Sequence, residues 1–355
     1  MKRFLVIIPI ILVIVVSLFF ILKPKETIEE QPNNSTIPSK ENINNDKEDK
    51  TDNNNNKNDD EIPTIEVKEA LVHTDDINYD KESNLTVSFG KSGGKVSCSD
   101  NKLIIGKNDI VCEAIGNNGL KSSISYIINY SLTYNKTAIF FGDSITAGFG
   151  SKSRHYSWVN YLANNYDFLK CVNAGITDYR LSTYDDPNKW LSTQVQNHYN
   201  DNINYDYIIM QGGVNDLIYD TPIGQLSNGF DLTNFDKNTL YGGLETYLYY
   251  VTNKWPKAKI GYIITYYTPN YTERNLKWNY TDYKKYNDAI KNTLNKWNIT
   301  YLDLFDGTYN NESYSDILKV ETKTYLPDGL HLNDNGYNLI SPYIYEWLES
   351  LKQFK

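Results

Sequence analysis

Histidine and cysteine are scarce in this chain. Four histidines stand among 355 residues: His73, His155, His198 and His331. There is no His-x-x-x-His pair, and no carboxylate cluster has metal-site spacing, so the sequence asks for no metal or other cofactor. The cysteines are Cys98, Cys112 and Cys171. No motif surrounds Cys171, in the apolar run Leu169–Val172, so it reads as a buried free thiol rather than a nucleophile. Cys98 and Cys112 sit in one small region and are the expected disulfide pair of an exported chain. Basic clusters are missing beyond the amino terminus, and the formal net charge is −9, which argues against a nucleic-acid partner. The strained Gly-x-Ser-x-Gly elbow is also absent, which argues against the common α/β-hydrolase arrangement.

Long apolar runs occur in one place only. Phe4–Leu22 is almost wholly apolar, broken by Pro9 and Ser17 and flanked by Lys2, Arg3, Lys23 and Lys25. A membrane-spanning helix needs roughly 20 such residues. A cleaved signal has a shorter apolar core followed by a small-x-small site, whereas this run ends Phe-Phe-Ile-Leu-Lys-Pro-Lys. Residues 1–23 are therefore expected to be a single-pass anchor in the cell membrane, with the folded part outside. The alternative is a removed signal and a secreted protein. Residues 24–61 are rich in Asn, Asp, Glu and Lys, with almost no large apolar side chain. Such a segment cannot bury enough surface to offset its ordering entropy, so it is expected to be a disordered tether.

From residue 62 to 134 the pattern is short alternating runs: Leu85–Phe89, Lys95–Cys98, Ile110–Ala114 and Ile124–Ile128. Turn signals separate them, among them Ser92-Gly93-Gly94 and Asn117-Asn118-Gly119. This spacing predicts a small antiparallel β-sandwich. The stretch Val96–Ile128 resembles the hyalin-repeat type of immunoglobulin-like domain, on Cys98, Cys112 and the turn Ala114-Ile115-Gly116-Asn117-Asn118-Gly119. That resemblance implies a surface spacer or adhesion module without catalysis.

From 135 to 355 strands alternate with helices. Candidate strands are Ala138–Phe141, Leu169–Asn173, Tyr207–Met210, Ile260–Tyr266 and Thr300–Leu304. Candidate helices are Ser157–Asn165, Leu240–Trp255, Tyr280–Trp297 and Asp334–Leu351. The alternation predicts a parallel sheet with helices on both faces, a three-layer α/β domain that binds ligands at the carboxyl ends of its strands.

The chemistry-bearing blocks fall at that edge. Thr137–Phe141 stops abruptly at Gly142-Asp143-Ser144-Ile145. Asn173-Ala174-Gly175 comes after the second strand, and Gly212-Gly213-Val214-Asn215-Asp216 after the third. Asp328-Gly329-Leu330-His331 lies just before the last helix. A serine hydroxyl needs an imidazole to take its proton and a carboxylate to hold that imidazole in the right tautomer; the last block offers both. This ordered set resembles the GDSL-type, or SGNH, serine hydrolases. The resemblance implies a flavodoxin-like fold and ester hydrolysis through an acyl-serine. It assigns Ser144 as nucleophile, His331 as acid–base and Asp328 as its orienting partner. It assigns the oxyanion donors to the backbone N–H of Ser144 and Gly175 and the side-chain amide of Asn215; losing one such donor typically costs about 3 kcal/mol. Asp143 and Asp216 read as structural, and His155 as a residue that lines the pocket. Where the family pattern often continues to a small residue, this chain runs Thr177-Asp178-Tyr179-Arg180, with Asp178 and Arg180 either meeting substrate or pairing with each other.

For a tethered extracellular esterase the expected substrate is an acylated glycan or wall polymer. Trp190, Tyr184 and the loop Tyr266–Tyr271 offer rings suited to sugar faces. The alternatives are a lipase or general carboxylesterase, an O-acyltransferase using the same acyl-serine, and a surface adhesion module.

Overall fold

Alternating side chains organise the first part of the fold. The computed structural model describes residues 61–153 and 156–354, so the expected anchor, nearly all of the tether, and His155 lie outside the described residues. In β5 (Gly106–Gly116) Asn108, Ile110, Cys112 and Ala114 are buried while Asp109 and Val111 between them are exposed. That is the signature of a strand with one face on a core. β6 (Lys121–Tyr130) runs antiparallel to β5 on one side. β4 (Gly94–Cys98) does so on the other and sets Cys98 directly opposite Cys112, where the two form a disulfide. β1 (Thr64–Val67) and β3 (Leu85–Ser88) form a separate antiparallel pair. The apolar cluster around Leu85, Ile110, Tyr126 and Ile128 fills this β portion. One pairing departs from the all-antiparallel expectation: β2 (Leu71–Thr74) joins β6 in parallel. Three strands intervene between β2 and β6, so no hairpin dictates their sense.

Residues 131–136 lead straight into the second sheet. Its strands are β7 (Thr137–Phe141), β8 (Lys170–Asn173), β9 (Tyr207–Gln211), β10 (Lys259–Ile264) and β11 (Thr300–Asp303). All pair in parallel, in the order β11-β10-β9-β7-β8. Every residue of β9 is buried, as a strand covered on both faces requires. On one face α2 (Trp158–Asn165) packs with the last long helix (Asp334–Leu348); on the other Leu191–Asn197, Leu240–Lys254 and Tyr280–Lys296 pack together. The result is a three-layer α/β sandwich. Side-chain caps set the helix starts: Ser157 accepts from the Asn160 N–H, and Asn333 from the Gly336 N–H. The helix Leu191–Asn197, whose start has no side-chain cap, is additional to the four expected helices.

Cys171 is a free, half-buried thiol on β8, and burial pushes it up to about 12, far from reactivity. The β portion joins at the amino-terminal side of this sheet. The Tyr207 hydroxyl donates to the Leu132 carbonyl at 3.2 Å, and Lys136 pairs with Asp75 at 2.5 Å. Strand order reverses at β7, which has β8 on one side and β9 on the other. The crevice of such a sheet opens at the carboxyl ends of its strands at this switch point. Among the described residues no helix is long and apolar enough to cross a membrane.

Candidate active site

The end of β7 decides where Ser144 stands. A Cβ on Gly142 would lie 2.2 Å from Thr146 Oγ1 and 2.7 Å from Gln211 Oε1, so only glycine lets the chain turn here. Asp143 then caps the short helix α1 (Ser144–Ala147) by accepting from the Ile145 N–H at 2.9 Å. Gln211, at the end of β9, locks the turn from below. Its Nε2 donates to Asp143 Oδ2 at 3.0 Å and its Oε1 accepts from Thr146 Oγ1 at 2.9 Å. Asp143 is fully buried, and burial pushes its carboxyl up to about 6 despite these bonds. It supports the turn, as the sequence suggested for it.

Ser144 Oγ lies 2.9 Å from His331 Nε2. On the far side of the ring, Nδ1 lies 2.6 Å from Asp328 Oδ2. Asp328 Oδ1 accepts from the N–H groups of Leu330 and His331 at 2.8 and 2.7 Å. Burial pushes the Asp328 carboxyl up, but the His331 ring and these two N–H groups outweigh it and hold the group below its ordinary value. The turn between them needs its glycine: Gly329 has φ +85°, and a Cβ there would sit 1.7 Å from the Asn270 carbonyl oxygen. Phe149 and Tyr271 meet the imidazole at ring distances of 4.5 and 5.8 Å. The hydroxyl of Tyr337, on the last long helix, donates towards the carbonyls of Ile145 and Phe149 at 3.1 and 2.8 Å. Serine, imidazole and carboxylate thus form one unbroken chain, the arrangement nucleophilic acyl transfer requires.

A cavity of about 60 Å³ opens beside Ser144, lined by Phe149, Asp178, Asn215, Arg274 and His331 among others. The Ser144 N–H stands at the open first turn of α1. The Asn215 amide donates one hydrogen to the Tyr179 carbonyl at 2.9 Å, which fixes the group and leaves its second donor. Gly175 is placed differently. Its N–H is turned to Asn173 Oδ1 at 3.0 Å, and a Cβ would meet the backbone of Ala147 at 2.3 Å. Its glycine is demanded by close packing under α1. Thr177 and Asp178, just after it, line the cavity, and Asp178 takes the left-handed φ of +69°.

Asp178 and Arg180 do not pair with each other. Asp178 pairs with Lys189, accepts from the Tyr219 hydroxyl at 2.8 Å and meets Arg274 at 3.4 Å. Burial raises the Asp178 carboxyl, but those partners outweigh it and lower it overall. Arg180 is buried, pairs with Asp185 at 2.9 Å and lies over the Tyr219 ring. Asp216 is buried too; it accepts from the N–H groups of Leu181 and Ser182 at 2.8 and 3.1 Å, tying the third block to the loop after the second. The aromatic residues expected to face sugars are mostly interior. Trp190 is buried and donates to the Leu181 carbonyl, and Tyr266 is buried and donates to the Leu330 carbonyl. Phe149, 44% exposed, is the ring that borders both cavity and solvent, and no motif pointed to it. Gln211 had a readable signal, since it is the polar end of a buried apolar strand. Among the described residues no group of His, Cys, Asp and Glu is placed to hold a metal.

The family model described as GDSL-like lipase/acylhydrolase matches residues 140–339. No curated protein matches the chain. One solved crystal structure is 24% identical and superposes with a TM-score of 0.51, over 62% of this chain and 98% of that one. A Lactobacillus plantarum protein is also 24% identical, with a TM-score of 0.47 over 61% and 98% of the two chains. The native M. smegmatis aryl esterase is 14% identical, with a TM-score of 0.44 over 61% of this chain and all of that one.

Proposed function

The chain belongs to the GDSL-like lipase/acylhydrolase family and is an ester-hydrolysing enzyme, and from this premise we propose that it removes short acyl groups, acetyl foremost, from a glycan or wall polymer at the cell surface. The observation that carries the reading is the chain Ser144–His331–Asp328, with contacts of 2.9 and 2.6 Å, at the edge of a cavity of about 60 Å³.

In the proposed reaction Ser144 Oγ attacks the ester carbonyl carbon while its proton passes to His331 Nε2. Asp328 holds the other ring nitrogen and stabilises the imidazolium. The negative oxygen of the tetrahedral intermediate meets the Ser144 N–H and the free donor of Asn215. The C–O bond then breaks, His331 returns the proton to the leaving alcohol, and water repeats the sequence on the acyl-serine. Gly175 contributes as packing that fixes α1 against the second block.

Cavity size supports the acyl length. The space of about 60 Å³ beside Ser144 suits a short acyl group. The surface location rests on the apolar run Phe4–Leu22. In this reading residues 62–134 are a spacer, since the residues lining the cavity all come from beyond residue 143.

The test uses the full-length chain and its Ser144→Ala variant on aryl acetate, aryl decanoate and an O-acetylated polysaccharide. Serine-dependent release from both acetates, with decanoate much slower, is the expected result. Equal hydrolysis by both proteins would remove Ser144 from the mechanism, and preference for decanoate would favour a lipase. Acyl transfer to an added acceptor glycan in place of acetate release would favour an acyltransferase.

A further inference from the structure

The rim of the catalytic cavity carries a cation that the hydrolytic steps do not use. Arg274 lies on the turn Thr272–Arg274, between two-residue strands at Asn270–Tyr271 and Leu276–Lys277 that pair with each other. This small hairpin is tied to the catalytic block itself. The Thr272 N–H and hydroxyl both donate to the Asp328 carbonyl, at 2.9 and 2.8 Å. The backbone that carries Arg274 is therefore fixed relative to Ser144 and His331.

The guanidinium is fixed as well. It lies 4.9 Å from the centre of the Tyr219 ring, and its Nη2 is 3.4 Å from Asp178 Oδ1. Asp178 does not neutralise it. That carboxylate already pairs with Lys189 and accepts the Tyr219 hydroxyl, so one negative charge faces two positive ones. The Asp328 carboxylate, behind His331, is engaged by that ring. A guanidinium has five donors, the contacts to Asp178 and the Tyr219 hydroxyl leave several of them over, and the Arg274 side chain remains 41% exposed while lining the cavity. Such a group, held at its base with donors to spare, is suited to bidentate pairing with a planar or tetrahedral anion.

We propose that Arg274 makes this enzyme selective for esters whose alcohol portion carries a negative charge beside the acylated hydroxyl: an O-acylated sugar bearing a carboxylate or phosphate. The proposal rests on the esterase reading above and deepens it. The acyl group fills the small cavity, the sugar ring lies against the exposed face of Phe149, and its anionic substituent meets Arg274. The chain's net charge of −9 gives no long-range attraction for such a polymer, so the discrimination is local and falls with salt.

The test compares matched mono-O-acetyl methyl glycosides: a hexoside, its hexuronide and its 6-phosphate. Wild type, Arg274→Gln and Arg274→Lys are assayed as full-length proteins at low and high salt. The wild type is expected to favour at least one anionic ester over the neutral one by about tenfold in kcat/KM, mainly through KM. Arg274→Gln brings that ratio close to one, and Arg274→Lys restores part of it. The uronide and phosphate arms tell which anion is read. A wild-type ratio near one, or a ratio that survives Arg274→Gln, overturns the proposal. Parallel loss on all three esters also leaves the ratio standing and assigns Arg274 a structural role instead. Failure of the parent reading is distinct, for then hydrolysis of the neutral ester does not depend on Ser144.

Discussion

Replacing Gly175 with alanine separates two reasons for a glycine in the second block. If the residue mattered only as a backbone donor, alanine would serve, because its N–H is the same. The structure gives a different reason. An added Cβ would stand 2.3 Å from the Ala147 nitrogen and 2.8 Å from Ala147 Cα and the Thr146 carbonyl carbon. These are backbone atoms of the short helix that begins with Ser144, so no side chain can swing aside. Restoring ordinary contact means moving the two segments apart by roughly 1 Å, an overpacking that costs about 1–3 kcal/mol. The same displacement moves Ser144 Oγ from its 2.9 Å contact with His331, and a shift of that size at a reacting centre costs about 100-fold in rate. Urea unfolding and kcat on a short aryl acetate, for wild type and Gly175→Ala, measure the two effects together. Both should fall. Wild-type stability with a wild-type rate would refute the packing argument.

Neighbouring groups give three other expectations. Asp328→Asn keeps an acceptor for the Leu330 and His331 N–H groups but turns a donor towards Nδ1, so kcat should fall by about 10⁴-fold with the fold retained; a loss under tenfold would remove Asp328 from its role. The Cys98–Cys112 bond closes a 14-residue separation, and its reduction should lower stability by about 3 kcal/mol, with unfolding that is unchanged by reductant as the contrary result. Asp143 sets a pH dependence. Its folded value of about 6 lies above the ordinary 3.8, so the folded state holds this proton more tightly than the unfolded state. The contribution is full below about pH 4 and is lost as pH rises to about 6, a difference worth about 3 kcal/mol. Asp143→Asn, which cannot titrate, should flatten that part of the stability curve, and an unaltered slope would show that another group governs it.

Three of the four blocks were legible because each couples a strand end to a short polar motif, and the fourth because an aspartate and a histidine stand three residues apart just before the last helix. The apolar runs at Thr137–Phe141 and Tyr207–Gln211 announce buried strands, and the residues immediately after each run must lie at the sheet edge. The five strands of the parallel sheet and the four long helices were foreseen to within a few residues, whereas β1 and β2 were not among the expected strands. Nor was the parallel seat of β2 foreseen, because nothing in a four-residue strand distinguishes its partner. Aromatic roles were the least legible. Trp190 and Tyr266 look like surface rings in sequence, yet their N–H and O–H reach buried carbonyls, which lets both enter the core. Arg274 carries no sequence signal because it lies in an irregular segment with no motif, and its nearness to the site comes from bonds between Thr272 and the Asp328 carbonyl.

The three aspartates around Ser144, the proposed nucleophile, show why residue type alone cannot assign a role. Asp143 and Asp216 are fully buried and both have raised carboxyls, chiefly from burial. Their bonds go to Ile145, Gln211, Leu181 and Ser182, groups that do not change charge during acyl transfer. They hold the loops still. Of the three, Asp328 bonds directly to the ring that becomes positive in the proposed reaction, and it is the one whose carboxyl is lowered. A fixed negative charge beside an imidazole stabilises the imidazolium formed when Ser144 gives up its proton, whereas a carboxyl already satisfied by neutral donors contributes only position. What separates the orienting partner from its two neighbours is the three-residue spacing to His331, because that spacing lets one turn present the backbone N–H groups and the ring nitrogen to the same carboxylate.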